Sequence, residues 1–253
     1  MFLLSLVSLD AQPPHIVAIS HRGEHLRHPE NTLPAFQAAI DAGADFFELD
    51  VRTKADGKLV LQHDSTVDRC TNGSGRIRQM TFDQIRALDA GVKMGPQFAG
   101  TKVPTFDEAL ELARGKIGVY VDSKDISAAD LVSALDRHDM ADHVVVYGGF
   151  GLMQGLAALR PSIRLMPEAR NADTARRLID ALHLRVMAFG AGDFEEGVIA
   201  VAKASKTEIY VDRLGPADNP QVWQDAIDRG AAGIQTDKPA ELVQYLREHG
   251  YHR

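Results

Sequence analysis

Cysteine is nearly missing from this chain: there is one thiol, Cys70, in 253 residues. One cysteine excludes an internal disulfide and a cysteine-built zinc site, and it leaves the cellular compartment open. A basic surplus is missing too. Lys and Arg number 28 against 35 Asp and Glu, a net charge of −7, so nucleic acid is not an expected partner. No apolar run approaches the ~20 residues of a membrane span, and stable membrane insertion is not expected. The apolar start, residues 1–9, is followed by Asp10-Ala11-Gln12. It has two readings. It is a partial signal peptide over residues 1–11 that lacks the usual positive region, or it is an ordinary terminal segment. Secreted or periplasmic and cytoplasmic locations therefore both stay open, as does the oligomeric state.

Hydrophobic residues at 45% and charged residues at 25% are enough for a sizeable core without covalent staples. Short apolar runs alternate with amphipathic ones throughout. Strands are expected at Ile16–Ser20, Ala44–Val51, Ile117–Asp122, His143–Tyr147, Ile163–Met166, Arg185–Phe189, Glu208–Val211 and Gly233–Thr236. Thr105 and Glu108 form a capping box, and Asn219-Pro220 opens another helix. This alternation predicts a parallel sheet. Eight strands in this length predict an α/β fold closed as a (β/α)8 barrel, one domain over residues 1–253.

Lys58–Gln62 follows the second strand too closely for a parallel crossover, and Asp56-Gly57 is a hairpin turn signal. Thr53–Gln62 is therefore expected to be an antiparallel excursion that returns His63 to the level of Asp50. Residues 64–104 form the only long insertion after it, expected to cap the barrel mouth.

Chemistry in such a barrel sits at the C-terminal strand ends. Those ends carry His21-Arg22-Gly23, Glu48 with Asp50, His63-Asp64, Asp122-Ser123-Lys124 and Thr236-Asp237. Glu48 and Asp50 are two apart and share a strand face. Phe47, Leu49 and Val51 take the opposite face as core, which turns both acids into the barrel. Paired carboxylates repel unless a proton or cation lies between them, and a hard divalent ion suits them. His21 and His63 are an acid–base pair at adjacent strand mouths. Arg22 and Lys124 bring positive charge for an anion. Asn31 and Thr32 read as helix caps, with Glu30 bracing Arg22. Trp223 reads as core, and His15, His138, His143, His183, His249 and His252 as structural residues.

Together, His21-Arg22-Gly23, Pro29-Glu30-Asn31-Thr32, Ala42-Gly43-Ala44-Asp45, Glu48-Leu49-Asp50-Val51, Asp56-Gly57, His63-Asp64, Pro104-Thr105 and Gly233–Asp237 resemble the glycerophosphodiester phosphodiesterase family. The resemblance implies a TIM barrel with a small insertion after the His-Asp motif. It implies metal-dependent hydrolysis of glycerophosphodiesters to glycerol 3-phosphate and an alcohol. His21 and His63 would be general acid and base, with Glu48 and Asp50 as ligands of one Mg2+ or Ca2+ and Arg22 and Lys124 on the phosphate. It further implies attack by the substrate's own neighbouring hydroxyl, giving a cyclic phosphate that water opens. One position departs. The family usually carries Glu-x-Lys where this chain has Asp122-Ser123-Lys124, so the third ligand is expected to be Asp122, one methylene shorter, with Glu168 as an accessory group. Two alternatives stand beside this reading: a phosphodiesterase acting on lysophospholipids or sphingomyelin, with Met80, Met94 and Phe98 supplying an apolar groove, and a non-catalytic ligand-binding barrel.

Overall fold

The computed structural model describes residues 13–54, 56–190, 192 and 194–253. The segment 1–11, read as a signal peptide or a terminal segment, lies outside the described residues.

Eight parallel strands occupy the expected windows. They are β1 (Val17–Ser20), β2 (Phe46–Thr53), β4 (Gly118–Ser123), β5 (Val144–Tyr147), β6 (Arg164–Leu165), β7 (Val186–Phe189), β8 (Glu208–Arg213) and β9 (Gly233–Thr236); β3 (Leu59–Leu61) is antiparallel to β2. The hydrogen-bonded order runs β6-β5-β4-β2-β1-β9-β8-β7. The two ends meet at an isolated parallel bridge between Glu168 and Ala188, which nearly closes the barrel.

Helices α1 (Leu33–Asp41), α2 (Phe82–Arg86), α3 (Phe106–Ala113), α4 (Ala128–Arg137), α5 (Phe150–Leu159), α6 (Ala172–Leu182), α7 (Glu196–Ser205), α8 (Pro220–Arg229) and α9 (Pro239–Glu248) follow the strands or, for α2, sit in the insertion. The capping box at Thr105 is formed with Glu108. The Asn219 side chain accepts from Val222 N ahead of α8, with Pro220 in the first turn.

The strand period of two separates two cores. Phe47, Leu49 and Val51 face outward into the large helix–sheet core; full burial stabilises each by ~1.5–3 kcal/mol. Ile19, Phe46, Tyr120, Val145, Met166, Val186, Ala188 and Tyr210 fill the barrel interior. Glu48 and Asp50 continue the inward row above Phe46, beside Tyr120 and Asp122 in the β2–β4 register. Trp223 is fully buried, as expected of core.

The hairpin registers one residue away from the symmetric expectation. Val51 pairs with Leu61 and Thr53 with Leu59, and Gln62 N donates to Asp50 O at 2.9 Å. Gln62 therefore stands opposite Asp50, and His63 lies one residue beyond. Gly57 carries the turn at φ +75°, a conformation that suits glycine.

The insertion builds a small core of its own from Val67, Ile77, Ile85, Ala90 and Val103 packed on Val60 of β3. It flanks the first loop beside the mouth, where Arg69, Cys70, Ala90, Lys93 and Met94 meet His25, His28, Pro29 and Glu30.

Candidate active site

A cavity of about 140 Å3 opens at the C-terminal ends of the strands. Its walls include His21, Arg22, Glu48, Asp50, His63, Asp122 and Glu168. Lys124 joins them through its ammonium, which donates to Asp122 Oδ2 at 2.6 Å and lies 2.9 Å from Asp50 Oδ1. The eight residues singled out from the sequence thus converge on one mouth.

Glu48, Asp50 and Asp122 each offer an oxygen within 4.8 Å of the others'. Glu48 and Asp50 are buried. Burial pushes the Glu48 carboxyl well above its ordinary range, and the charges of Asp50 and Asp122 add to it. Burial also raises Asp122, only partly offset by Lys124. Carboxylates this close and this dry need a proton or a counter-charge between them. One Lys124 ammonium supplies part of it, and burial opposes that ammonium's charge, but Asp50 and Asp122 outweigh burial and raise its pKa. An all-oxygen set of this kind fits Mg2+ or Ca2+. Glu168 lines the same cavity, but its Oε2 accepts from Tyr147 Oη at 3.1 Å and it stands outside the three-carboxylate group.

Two features fix this set in place. Arg22 N donates to Glu48 Oε2 at 2.7 Å. Asn31 makes a two-point clamp on Asp50: its Nδ2 donates to Oδ2 at 2.6 Å, and its Oδ1 accepts from Asp50 N at 3.0 Å. This corrects the capping role expected of Asn31. Thr32 does stand at the N-cap of α1, but without a side-chain cap bond; its hydroxyl donates to Pro29 O instead. Glu30 braces Arg22 at 3.2 Å, as expected, and also receives the Arg69 guanidinium from the insertion.

The two imidazoles are oriented alike. His21 Nδ1 lies 2.8 Å from Asp237 Oδ1, and His63 Nδ1 lies 2.7 Å from Asp64 Oδ1. A carboxylate only accepts, so each Nδ1 carries a proton and each Nε2 is left for chemistry. Burial holds His21 below the ordinary 6.5, against the raising effect of Asp237, and Arg22 lowers it further. His25 packs edge-on against His21 at 5.2 Å between centroids and lies 3.5 Å from Asp237. Asp237 is itself held by Gly215 N at 2.8 Å, and its own N–H donates to the buried Asp218 at 2.7 Å. Despite burial, its bonds to His21 and Gly215 bring its pKa down to about 2. On the other side, Arg52 Nε donates to Gln62 O at 3.0 Å and His63 O at 3.1 Å, tying the hairpin's return to β2. Asp64 is held well below the carboxylate range by Arg69, against partial burial, with His63 adding to the effect.

Sequence reasoning placed Asp237 at a strand end but gave it no role, and it missed Asn31 in this role, His25 and the far wall. That wall holds Tyr120, Tyr147, Asp212 and Gln235, with Ala188, Phe189 and Leu214 as its apolar part. Burial and then Glu168 push Asp212 up to about 6. Its only sequence signal is an inward position near the end of β8. Cys70 is pushed up to about 11 by burial and Glu30, which makes it a poor nucleophile.

The sequence profile of the Glycerophosphoryl diester phosphodiesterase family matches residues 21–241. A glycerophosphodiester phosphodiesterase of Caldanaerobacter subterraneus subsp. tengcongensis is 32% identical over 248 residues, covering 92% of this chain and 99% of that protein. The crystal structure of a glycerophosphodiester phosphodiesterase from Agrobacterium tumefaciens superposes with a TM-score of 0.79 at 31% identity, covering 89% of this chain and 98% of that one. An Oleispira antarctica phosphodiesterase in complex with sn-glycerol-3-phosphate shares the fold at a TM-score of 0.83 and 22% identity, over 93% and 97% of the two chains.

Proposed function

Because this chain belongs to the glycerophosphoryl diester phosphodiesterase family and is a glycerophosphodiester phosphodiesterase, we propose that it hydrolyses small glycerophosphodiesters to glycerol 3-phosphate and an alcohol, using His21 and His63 beside one divalent cation on Glu48, Asp50 and Asp122. The observation that carries this reading is the meeting of those three carboxylates with two carboxylate-oriented imidazoles in one cavity. A bound divalent ion supplies positive charge to the phosphoryl oxygens and to the attacking oxygen. Arg22 and Lys124 bind the phosphate and neutralise it as charge moves onto its oxygens. His21, whose burial favours the neutral ring, takes the proton of the attacking glycerol hydroxyl at Nε2. His63, as the imidazolium, gives its Nε2 proton to the leaving alkoxide; water then opens the cyclic phosphate with the two proton transfers reversed, which restores both rings.

The far wall favours a small polar alcohol. Tyr147, Glu168 and Asp212 offer hydrogen-bonding groups there, whereas Met80 packs against the insertion's own core and Phe98 against His28. Turnover of glycerophosphocholine is therefore expected to exceed that of lysophosphatidylcholine. Equal or greater turnover of the acylated substrate would overturn this reading and favour action on lysophospholipids.

Two further outcomes are expected. Asp237→Asn removes the charge that raises the His21 pKa and leaves only a weaker, neutral acceptor for Nδ1, so the acidic limb of kcat/KM should move to lower pH while kcat falls. A shift of the basic limb instead would exchange the two histidine roles. Asn31→Ala should weaken metal binding about 10–100-fold, the usual cost of losing a group that orients a ligand. Asn31 sits at φ +55°, so Asn31→Gly separates backbone strain from loss of the clamp. Unchanged metal titration in Asn31→Gly would remove the clamp from the metal site.

A further inference from the structure

The opposite, N-terminal end of the barrel holds a second group of ligating side chains, remote from the mouth. His15 precedes β1, Asp45 precedes β2, and His252 follows α9. Each offers one atom within 4.8 Å of the others'. His15 Nε2 lies 3.1 Å from Asp45 Oδ1, and His252 Nε2 lies 3.1 Å from Asp45 Oδ2. The two rings are 4.9 Å apart between centroids.

Asp45 is fixed by the sheet itself: Ala18 N donates to its Oδ2 at 2.8 Å, and its backbone pairs with Ala18 and Gly118. His252 is fixed by the backbone oxygen of Arg253, 2.9 Å from Nδ1. That oxygen only accepts, so Nδ1 carries the proton. In the neutral ring the Nε2 lone pair then faces a carboxylate oxygen 3.1 Å away, so a second ring proton or a cation must lie between the two acceptors; a cation shared with His15 serves both rings at once. The His252 side chain is nearly buried at 8% exposure, while His15 is 47% exposed.

We propose that His15, Asp45 and His252 form a binding site for a transition-metal ion such as Zn2+ that staples the tail after α9 to the entry of β1. The donor set selects the metal. Two imidazoles and one carboxylate suit Zn2+, Ni2+ or Cu2+, whereas the all-oxygen group at the mouth suits Mg2+ or Ca2+. The spacing is near that of a tetrahedral site. Zinc bonds of ~2.0–2.1 Å imply ligand–ligand edges of about 3.3 Å, and the half-exposed His15 ring is free to close the remaining gap. Its exposed side leaves a fourth position to water. Residues at this end of a barrel serve stability rather than chemistry, so the ion's role is to join three chain segments already in contact, since Ile16 N donates to Tyr251 O at 2.8 Å and Asp45 N to Ala18 O at 3.0 Å.

The test uses the full chain, stripped of metal and then held in saturating Ca2+. Calorimetric titration with Zn2+ should give one more site in the wild type than in His15→Ala/His252→Ala. At 100 times its Kd, Zn2+ should raise the wild-type Tm by about 5–10 °C more than that of the double variant. Phosphodiesterase activity should be the same in both proteins, which separates this site from the mouth. The single variant His15→Ala, at a half-exposed position, serves if the double variant does not fold, and it should lower Zn2+ affinity at least about tenfold. Equal stoichiometry and equal Tm response in wild type and variants would overturn the site and leave a plain imidazole–carboxylate ion pair in its place.

Discussion

His21→Ala and His63→Ala are each expected to lower kcat by about 10^2–10^4-fold, the usual worth of a general acid or base. The fold should survive both changes. Each ring lies at a strand mouth, and neither belongs to the hydrophobic cores. The partners left behind differ. Loss of His21 leaves Asp237 with Gly215 N and the more distant His25 at 3.5 Å, whereas loss of His63 leaves Asp64 paired with the Arg69 guanidinium. His21→Ala should therefore cost somewhat more stability. Circular dichroism and thermal unfolding check the fold, and steady-state turnover of glycerophosphocholine checks the chemistry. Near wild-type kcat in a folded variant would remove that histidine from the mechanism.

Removing divalent metal with a chelator should lower activity by at least about 10^2-fold, in keeping with loss of a preorganised positive charge from the reaction centre, and adding Mg2+ or Ca2+ should restore it. Asp122→Ala should weaken metal binding and activity together, with partial recovery in excess metal. Because Asp122 is one methylene shorter than Glu, Ca2+, whose irregular oxygen shell is more tolerant than the strict octahedron of Mg2+, is expected to restore activity at least as well as Mg2+. Lys124 sharpens this expectation. It contacts both Asp50 and Asp122, so Lys124→Met should tighten metal binding while lowering kcat. Glu168→Ala should change the metal titration less than Asp122→Ala, because Glu168 is bonded to Tyr147. Full activity after complete chelation, or an unchanged metal titration in Asp122→Ala, would refute the assignment.

Much of this site was legible because its signals are local. Glu48 and Asp50 alternate with Phe47, Leu49 and Val51, and that period fixes which face meets the barrel interior. Asp56-Gly57 announces the hairpin that brings His63 back. Its register is less legible, because symmetry about the turn places His63 opposite Asp50 whereas the observed pairing places Gln62 there. A turn's residue types report that the chain reverses more reliably than how many residues the reversal takes. Asn31 shows a different limit. An Asn-Thr pair before an apolar helix has the same local signature whether the amide caps the helix or reaches 19 residues ahead to clamp Asp50.

By itself the sequence determined the strand–helix alternation, the inward turn of Glu48 and Asp50, and the set of chemical groups at the strand ends. These follow from side-chain period and turn chemistry over a few residues. Only the tertiary structure decided the partners. Asp237 reaches His21 across 216 positions of chain because β9 pairs with β1. Asp212 faces the carboxylate group from across the cavity because β8 lies next to β9, and His15 meets His252 because the tail after α9 returns to the entry of β1. Such contacts are set by barrel closure, whose geometry depends on all strands at once, and no short stretch of sequence contains it.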